Sequence, residues 1–124
     1  MNQQQLFQHL DNVFTLYIKK RDKYACVISG EKRRVGVFRL VKSNNFAIKY
    51  DTGNAFMLAD RFSSGFENNP VIVMSYIEKT RGLPYFVKLC KISNKQPTEE
   101  QIINKINEIV RLTDPIRDRR RWDD

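Results

Sequence analysis

Histidine, cysteine and glycine are scarce in this chain. Among 124 residues there are one histidine, two cysteines and five glycines. A catalytic histidine needs a nucleophile and an orienting partner beside it. His9 sits among glutamines near the N-terminus and reads as a surface residue of a first helix. Cys26 and Cys90 stand far apart in the apolar contexts YACVIS and VKLCKI. Without a CxxC or a Cys/His cluster, no structural zinc site is expected. One bridge between the two is the alternative to a pair of buried, reduced thiols. Reduced thiols place the chain in an intracellular compartment, cytoplasmic or nuclear-type. No apolar run approaches the roughly 20 residues of a membrane helix. The start, MNQQQLFQHL, lacks a basic segment followed by an apolar one, so a secretory signal is not expected. Neither GxxxxGK[ST] nor GxGxxG occurs. The sequence therefore points to no cofactor, no metal and no membrane.

Apolar residues make up 41% of the chain and charged residues 29%, the balance of a globular domain. One domain over residues 1–113 is expected, followed by a short charged tail over 114–124. Leu6, Phe7, Leu10, Val13, Phe14 and Tyr17 share one face of a helix. From Tyr24 to Ile92 the pattern reads as short strands between turns. Tyr24–Ser29, Val35–Val41 and Phe46–Tyr50 are three of them, and Ala55–Ala59 is open between strand and helix. Residues 60–70 read as the longest loop. Val71–Ile77 is apolar throughout, as a central strand requires. Leu83–Ile92 reads as the last strand, with Pro84 marking an edge or an irregular start. Thr98 and Gln101 fit a capping box. They open a helix whose stripe is Ile102, Ile103, Ile106, Ile109 and Val110, closed by Asp114-Pro115. The fold class expected is α+β: an antiparallel sheet of five or six short strands, flanked by an N-terminal and a C-terminal amphipathic helix.

The formal charge is +8, and it is concentrated. Residues 19–49 hold ten basic residues: Lys19, Lys20, Arg21, Lys23, Lys32, Arg33, Arg34, Arg39, Lys42 and Lys49. Asp22 and Glu31 are the only acids there, so the segment carries a net +8 by itself. Phosphates repeat along a nucleic-acid track, and a stripe of Lys and Arg answers that geometry. Arg39 and Lys49 would link the groups around Lys19 and Lys32 along one surface. Phe38, Phe46, Tyr50 and Tyr24 are candidates for base stacking if exposed, and core residues if not. Arg117, Arg119, Arg120, Arg121 and Trp122 form a weaker group in the tail, nearly cancelled by Asp114, Asp118, Asp123 and Asp124.

The expected function is a non-catalytic nucleic-acid-binding domain using these ten basic residues, with RNA or single-stranded DNA favoured. The alternative is a protein-interaction module, such as an inhibitor or assembly subunit, docking an acidic partner surface or forming a homodimer. Asp51, Asp60 and Glu67 are the nearest approach to catalysis, since two-metal nucleases need carboxylates on neighbouring strands. Asp51 lies in a D-T-G turn, however, where aspartate caps its own backbone.

Leu16–Lys20, Val35–Leu40, Phe56–Leu58, Val71–Ser75, Arg81-Gly82-Leu83-Pro84 and a final helix ending Arg111-Leu112-Thr113 follow one another in an order that resembles the closing part of an argonaute Piwi module. That family ends with strands, a G-x-P segment and a helix finishing in Leu-Thr. Its catalytic acids precede this region and its final motif is absent here. The resemblance implies a piece that handles nucleic acid without cleaving it, and it transfers no catalytic residue.

Overall fold

The first helix begins where the sequence supplies a reciprocal cap. The computed structural model describes residues 2–64 and 70–116. The Asn2 side chain accepts from the Gln5 amide at 2.8 Å, and the Gln5 side chain accepts from the Asn2 amide at 3.0 Å. Two otherwise unpaired amides are thereby satisfied. Helix α1 then runs Gln3–Arg21 and buries Leu6, Leu10, Phe14 and Ile18, one residue per turn. Lys19, Lys20 and Arg21 fill its last turn, where the helix dipole favours cations.

The remaining elements are β1 (Val35–Arg39), α2 (Phe46–Lys49), a 3-10 turn (Thr52–Asn54), β2 (Ala55–Ala59), α3 (Asp60–Ser63), α4 (Val71–Thr80), α5 (Leu83–Cys90) and α6 (Glu99–Thr113). Helix α6 has the expected capping box. The Thr98 hydroxyl accepts from the Gln101 amide at 3.1 Å, and Gln101 accepts from the Thr98 amide at 2.8 Å. It buries Ile102, Ile106, Ile109 and Thr113, whereas Ile103 faces solvent.

The expected sheet of five or six strands is not what the chain forms. Among the described residues the sheet has two strands, β1 and β2, paired antiparallel from Val35↔Ala59 to Arg39↔Ala55. Phe46–Lys49 is a helical turn, because the Asn45 side chain accepts from the Ala47 amide at 3.1 Å and caps it. Val71–Ile77 lies in helix α4. A continuous apolar run fits a buried strand and a helix equally well, and here Val73 and Ile77, four apart, are the buried pair. Leu83–Cys90 is helix α5, in which Pro84 sits in the first turn. There its missing N–H costs nothing and its fixed φ suits the helix. Tyr24–Ser29 forms no strand. Lys23 and Tyr24 adopt positive φ of 60° and 58°, which reverses the chain directly after α1.

The sheet divides two cores. Leu6, Leu10, Phe14 and Ile18 of α1 meet Ile102, Ile106 and Ile109 of α6 on one face, with Tyr50, Ala55 and Met57. On the other face Phe56 and Leu58 meet Cys26 and the α4 residues Val73 and Ile77. Along β2 Ala55 and Met57 join the first core and Phe56 and Leu58 the second, Ala59 also joins the second, and all five residues are buried.

The ladder follows from two bonds beyond the strand ends. The Leu40 amide donates to Asn54 and the Asp60 amide donates to Arg34. In an antiparallel pair such bonds recur at every second residue. Val35, Val37 and Arg39 on β1, and Ala55, Met57 and Ala59 on β2, therefore turn their backbone groups outward.

Candidate nucleic-acid interface

Three of the ten basic residues turn toward the protein itself. The Arg21 guanidinium donates to the carbonyls of Thr52 at 2.7 Å and Ala55 at 2.6 Å. It also pairs with the Asp22 carboxylate at 2.9 Å. Burial opposes its charge, but the bond and attraction to Asp22 outweigh that and hold its pKa above the ordinary value. Asp22 in turn accepts from the Met57 amide at 2.8 Å. The Val27 amide donates to the Met57 carbonyl at 3.0 Å. Residues 21–27 thus finish the outer edge of β2. Arg39 lies 4.9 Å over the ring of buried Phe14, and its Nε donates to the Lys49 carbonyl at 2.9 Å. Lys49 itself stands 5.6 Å over the Tyr50 ring.

The remaining seven fall into groups at the two ends of the sheet. Lys19 and Lys20 close α1 and Lys23 follows it, beside the Thr52–Ala55 end, and Lys42 follows Val41 at that same end. Lys32, Arg33 and Arg34 precede β1 at the Asp60 end. One five-residue strand separates the groups, about 17 Å of extended chain. Arg39 and Lys49 do not bridge them as expected, because both are held against Phe14 and Tyr50 of the core under α1 and α6. Lys23, Lys32, Arg33, Arg34 and Lys42 are exposed, and Lys19 and Lys20 are partly so. The acids of this segment are already engaged. Asp22 binds Arg21, and Glu31 accepts from Arg61 at 2.7 Å. The hydrogen bond from Arg61 keeps the Glu31 carboxyl below its usual range. Arg61 is a basic residue of this surface that the sequence did not single out.

The four aromatics do not form a stacking platform. Tyr50 is buried in the core between the sheet, α1 and α6, and its hydroxyl donates to Asp11 at 2.5 Å. Phe46 packs against Phe7 and Tyr50, with ring centroids 6.3 and 5.5 Å away. Phe38 packs on Phe56 at 5.6 Å, and Tyr24 is partly buried.

The candidate acids do not converge either. Asp51 accepts from the Gly53 amide at 2.9 Å and from the Tyr85 hydroxyl at 2.5 Å. Asp60 stands beyond the far end of β2. Among the described residues no group of three His, Cys, Asp or Glu could hold a metal ion. Glu67, and the tail from Arg117 to Asp124, lie outside the described residues. No helix among the described residues is long and apolar enough to cross a membrane.

Two exposed apolar helix faces escaped the sequence reading because both segments were read as strand. Val71, Ile72 and Met74 of α4, and Leu83 and Val87 of α5, are exposed. Leu83, Pro84, Val87 and Ile92 line an open groove of about 660 Å³ with Lys88 and Lys91 beside it. Helix α5 buries only Leu89 of its eight residues.

No protein-family model, curated protein or solved structure matches this chain.

Proposed function

We propose that the protein binds nucleic acid through phosphate contacts made by Lys23, Lys32, Arg33, Arg34 and Lys42, with Lys19 and Lys20 adding to the field. The observation that carries this reading is the pairing of Asp22 and Glu31 with Arg21 and Arg61. It leaves the exposed cations of the segment unneutralised by its own acids. Their separation along β2 suits backbone phosphates rather than a single bound base. With Tyr50 buried and Phe46 packed, stacking adds little, so the expected advantage of single strands over duplex shrinks.

Fluorescence anisotropy with labelled RNA, single-stranded DNA and duplex DNA at several salt concentrations tests this. Each phosphate contact adds about 0.9 to the slope of log affinity against log salt for B-DNA. Changing Arg33 and Arg34 together to Ala should lower the duplex slope by about 2. An unchanged slope and affinity in that double variant would sink the proposal.

The exposed apolar residues of α4 and α5 favour a second reading, a protein-interaction module. Monomeric proteins rarely expose large contiguous apolar patches. Lys88 and Lys91 beside the groove suit an acidic partner surface.

A further inference from the structure

The two edges of the sheet are finished differently. On β2 the outward groups of Met57 are both taken, by the Asp22 carboxylate and the Val27 amide, and the Ala55 carbonyl accepts from Arg21. On β1 the outward amides and carbonyls of Val35, Val37 and Arg39 meet no partner among the described residues. Proteins blunt such edges with proline, a bulge or an inward charge. Val35-Gly36-Val37-Phe38 has none of these; Arg39 at the strand's end, its guanidinium 4.9 Å over Phe14, is the one inward charge, and all five residues of β1 are partly exposed. Among the described residues, a Cβ added at Gly36 would meet nothing within 4 Å.

The charge around this edge decides what can pair with it. Lys32, Arg33 and Arg34 stand before β1 and Lys42 after it. Two copies of β1 could pair antiparallel about Val37, with their outward residues facing each other. That arrangement brings the Lys32–Arg34 group before each copy's strand to the end of the other's, where Lys42 follows. Like charges placed opposite each other destabilise a sheet. An acidic strand in the same place has the opposite sign at both ends.

We propose that β1 accepts an extended acidic segment of a partner protein as a third strand. Its backbone pairs with Val35, Val37 and Arg39, and its terminal carboxylates meet Lys32, Arg33, Arg34 and Lys42. Main-chain bonds supply the affinity in this mode, and the flanking charges select the partner.

The test uses the whole chain, isotope-labelled, and a short synthetic peptide of alternating valine and threonine with glutamates at both ends. Amide exchange at Val35, Val37 and Arg39 is followed as the peptide is added. All three amides are expected to gain protection. N-methylation of the peptide amides that face β1 should weaken binding about tenfold or more, since several hydrogen bonds are lost. N-methylation of the alternate amides should leave it nearly unchanged. Lysines in place of the glutamates should also abolish it. Four results would overturn the proposal. They are no binding, equal affinity of the two N-methylated peptides, protection elsewhere such as α4 and α5, and protection of the three amides by self-association or by a duplex oligonucleotide instead of the peptide.

Discussion

Asn54 holds the connection between the strands with every polar atom of its side chain. Its Nδ2 donates to the Val41 carbonyl at 2.9 Å and to the Ile48 carbonyl at 3.1 Å, while its Oδ1 accepts from the Val41 amide at 2.8 Å. The residue is fully buried. Asn54→Ala would leave three backbone groups without their partner. A loss of about 2–4 kcal/mol is expected in urea unfolding, with the slope unchanged. Tyr50 and Tyr85 make a pH-dependent contribution. Burial and a hydrogen bond to Asp11 push the Tyr50 hydroxyl well above its ordinary pKa, and burial and Asp51 do the same to Tyr85. The folded state therefore keeps these protons after the unfolded state has lost them. Their stabilisation is complete below about pH 10 and is lost as the pH rises beyond it. The fall in melting temperature above that pH should be shallower when both tyrosines are changed to Phe. The cysteines differ as well. Burial opposes the Cys26 thiolate, but hydrogen bonds from Ser29, Ala59 and Ile28 outweigh it and set its pKa below the ordinary value. Access overrides that advantage, because Cys26 is buried and Cys90 is exposed. A thiol reagent should label Cys90 in the native protein and Cys26 only on unfolding.

At the scale of elements, the outer edge of β2 rests on one carboxylate. Asp22→Ala removes the acceptor of the Met57 amide and the partner of Arg21. It should cost about 2–4 kcal/mol, measured by chemical denaturation. Asp22→Asn keeps an acceptor for the amide and should cost less. The elements themselves were unequally legible. Helices α1 and α6 could be read directly, since polar residues separate their apolar positions and fix the period. The cap at Thr98 and Gln101 then fixed where α6 starts. Val71–Ile77 carries no such contrast, so period alone could not separate strand from helix. In Leu83–Ile92 the apparent alternation and Pro84 were both consistent with an edge strand. The positive φ of 81° at Gly82 and the helical first turn gave proline its other meaning. Phe46–Tyr50 failed for a local reason, a side-chain cap from Asn45 that overrides a period-two pattern of five residues.

At the scale of the molecule, charge was legible and its distribution was not. The sequence places ten cations in residues 19–49, and seven of them remain directed toward solvent. Composition could not foresee that Arg21 would finish a strand edge, or that Arg39 would cover Phe14. Both depend on contacts distant in sequence, which a one-dimensional pattern does not contain. The same holds for the aromatics, whose burial follows from the meeting of α1 with α2 and the sheet. The surviving cations should make nucleic-acid binding steeply salt-dependent, whereas Arg21→Ala should lower stability more than it lowers the salt slope. Denaturant unfolding and anisotropy on the same variant separate the two effects.

The pairing of α1 with α6 also has a consequence for biosynthesis. The helix nearest the start of the chain buries Leu10, Phe14 and Ile18 against Ile102 and Ile109, almost a hundred residues later. During translation α1 leaves the ribosome long before its partner exists. Its apolar face must stay unclaimed while the sheet, α4 and α5 are made. Until α6 is made, the amphipathic face of α1 has no partner to bury it, and transiently exposed apolar surface of this kind favours association with other chains. The core between the two helices closes only when α6 emerges.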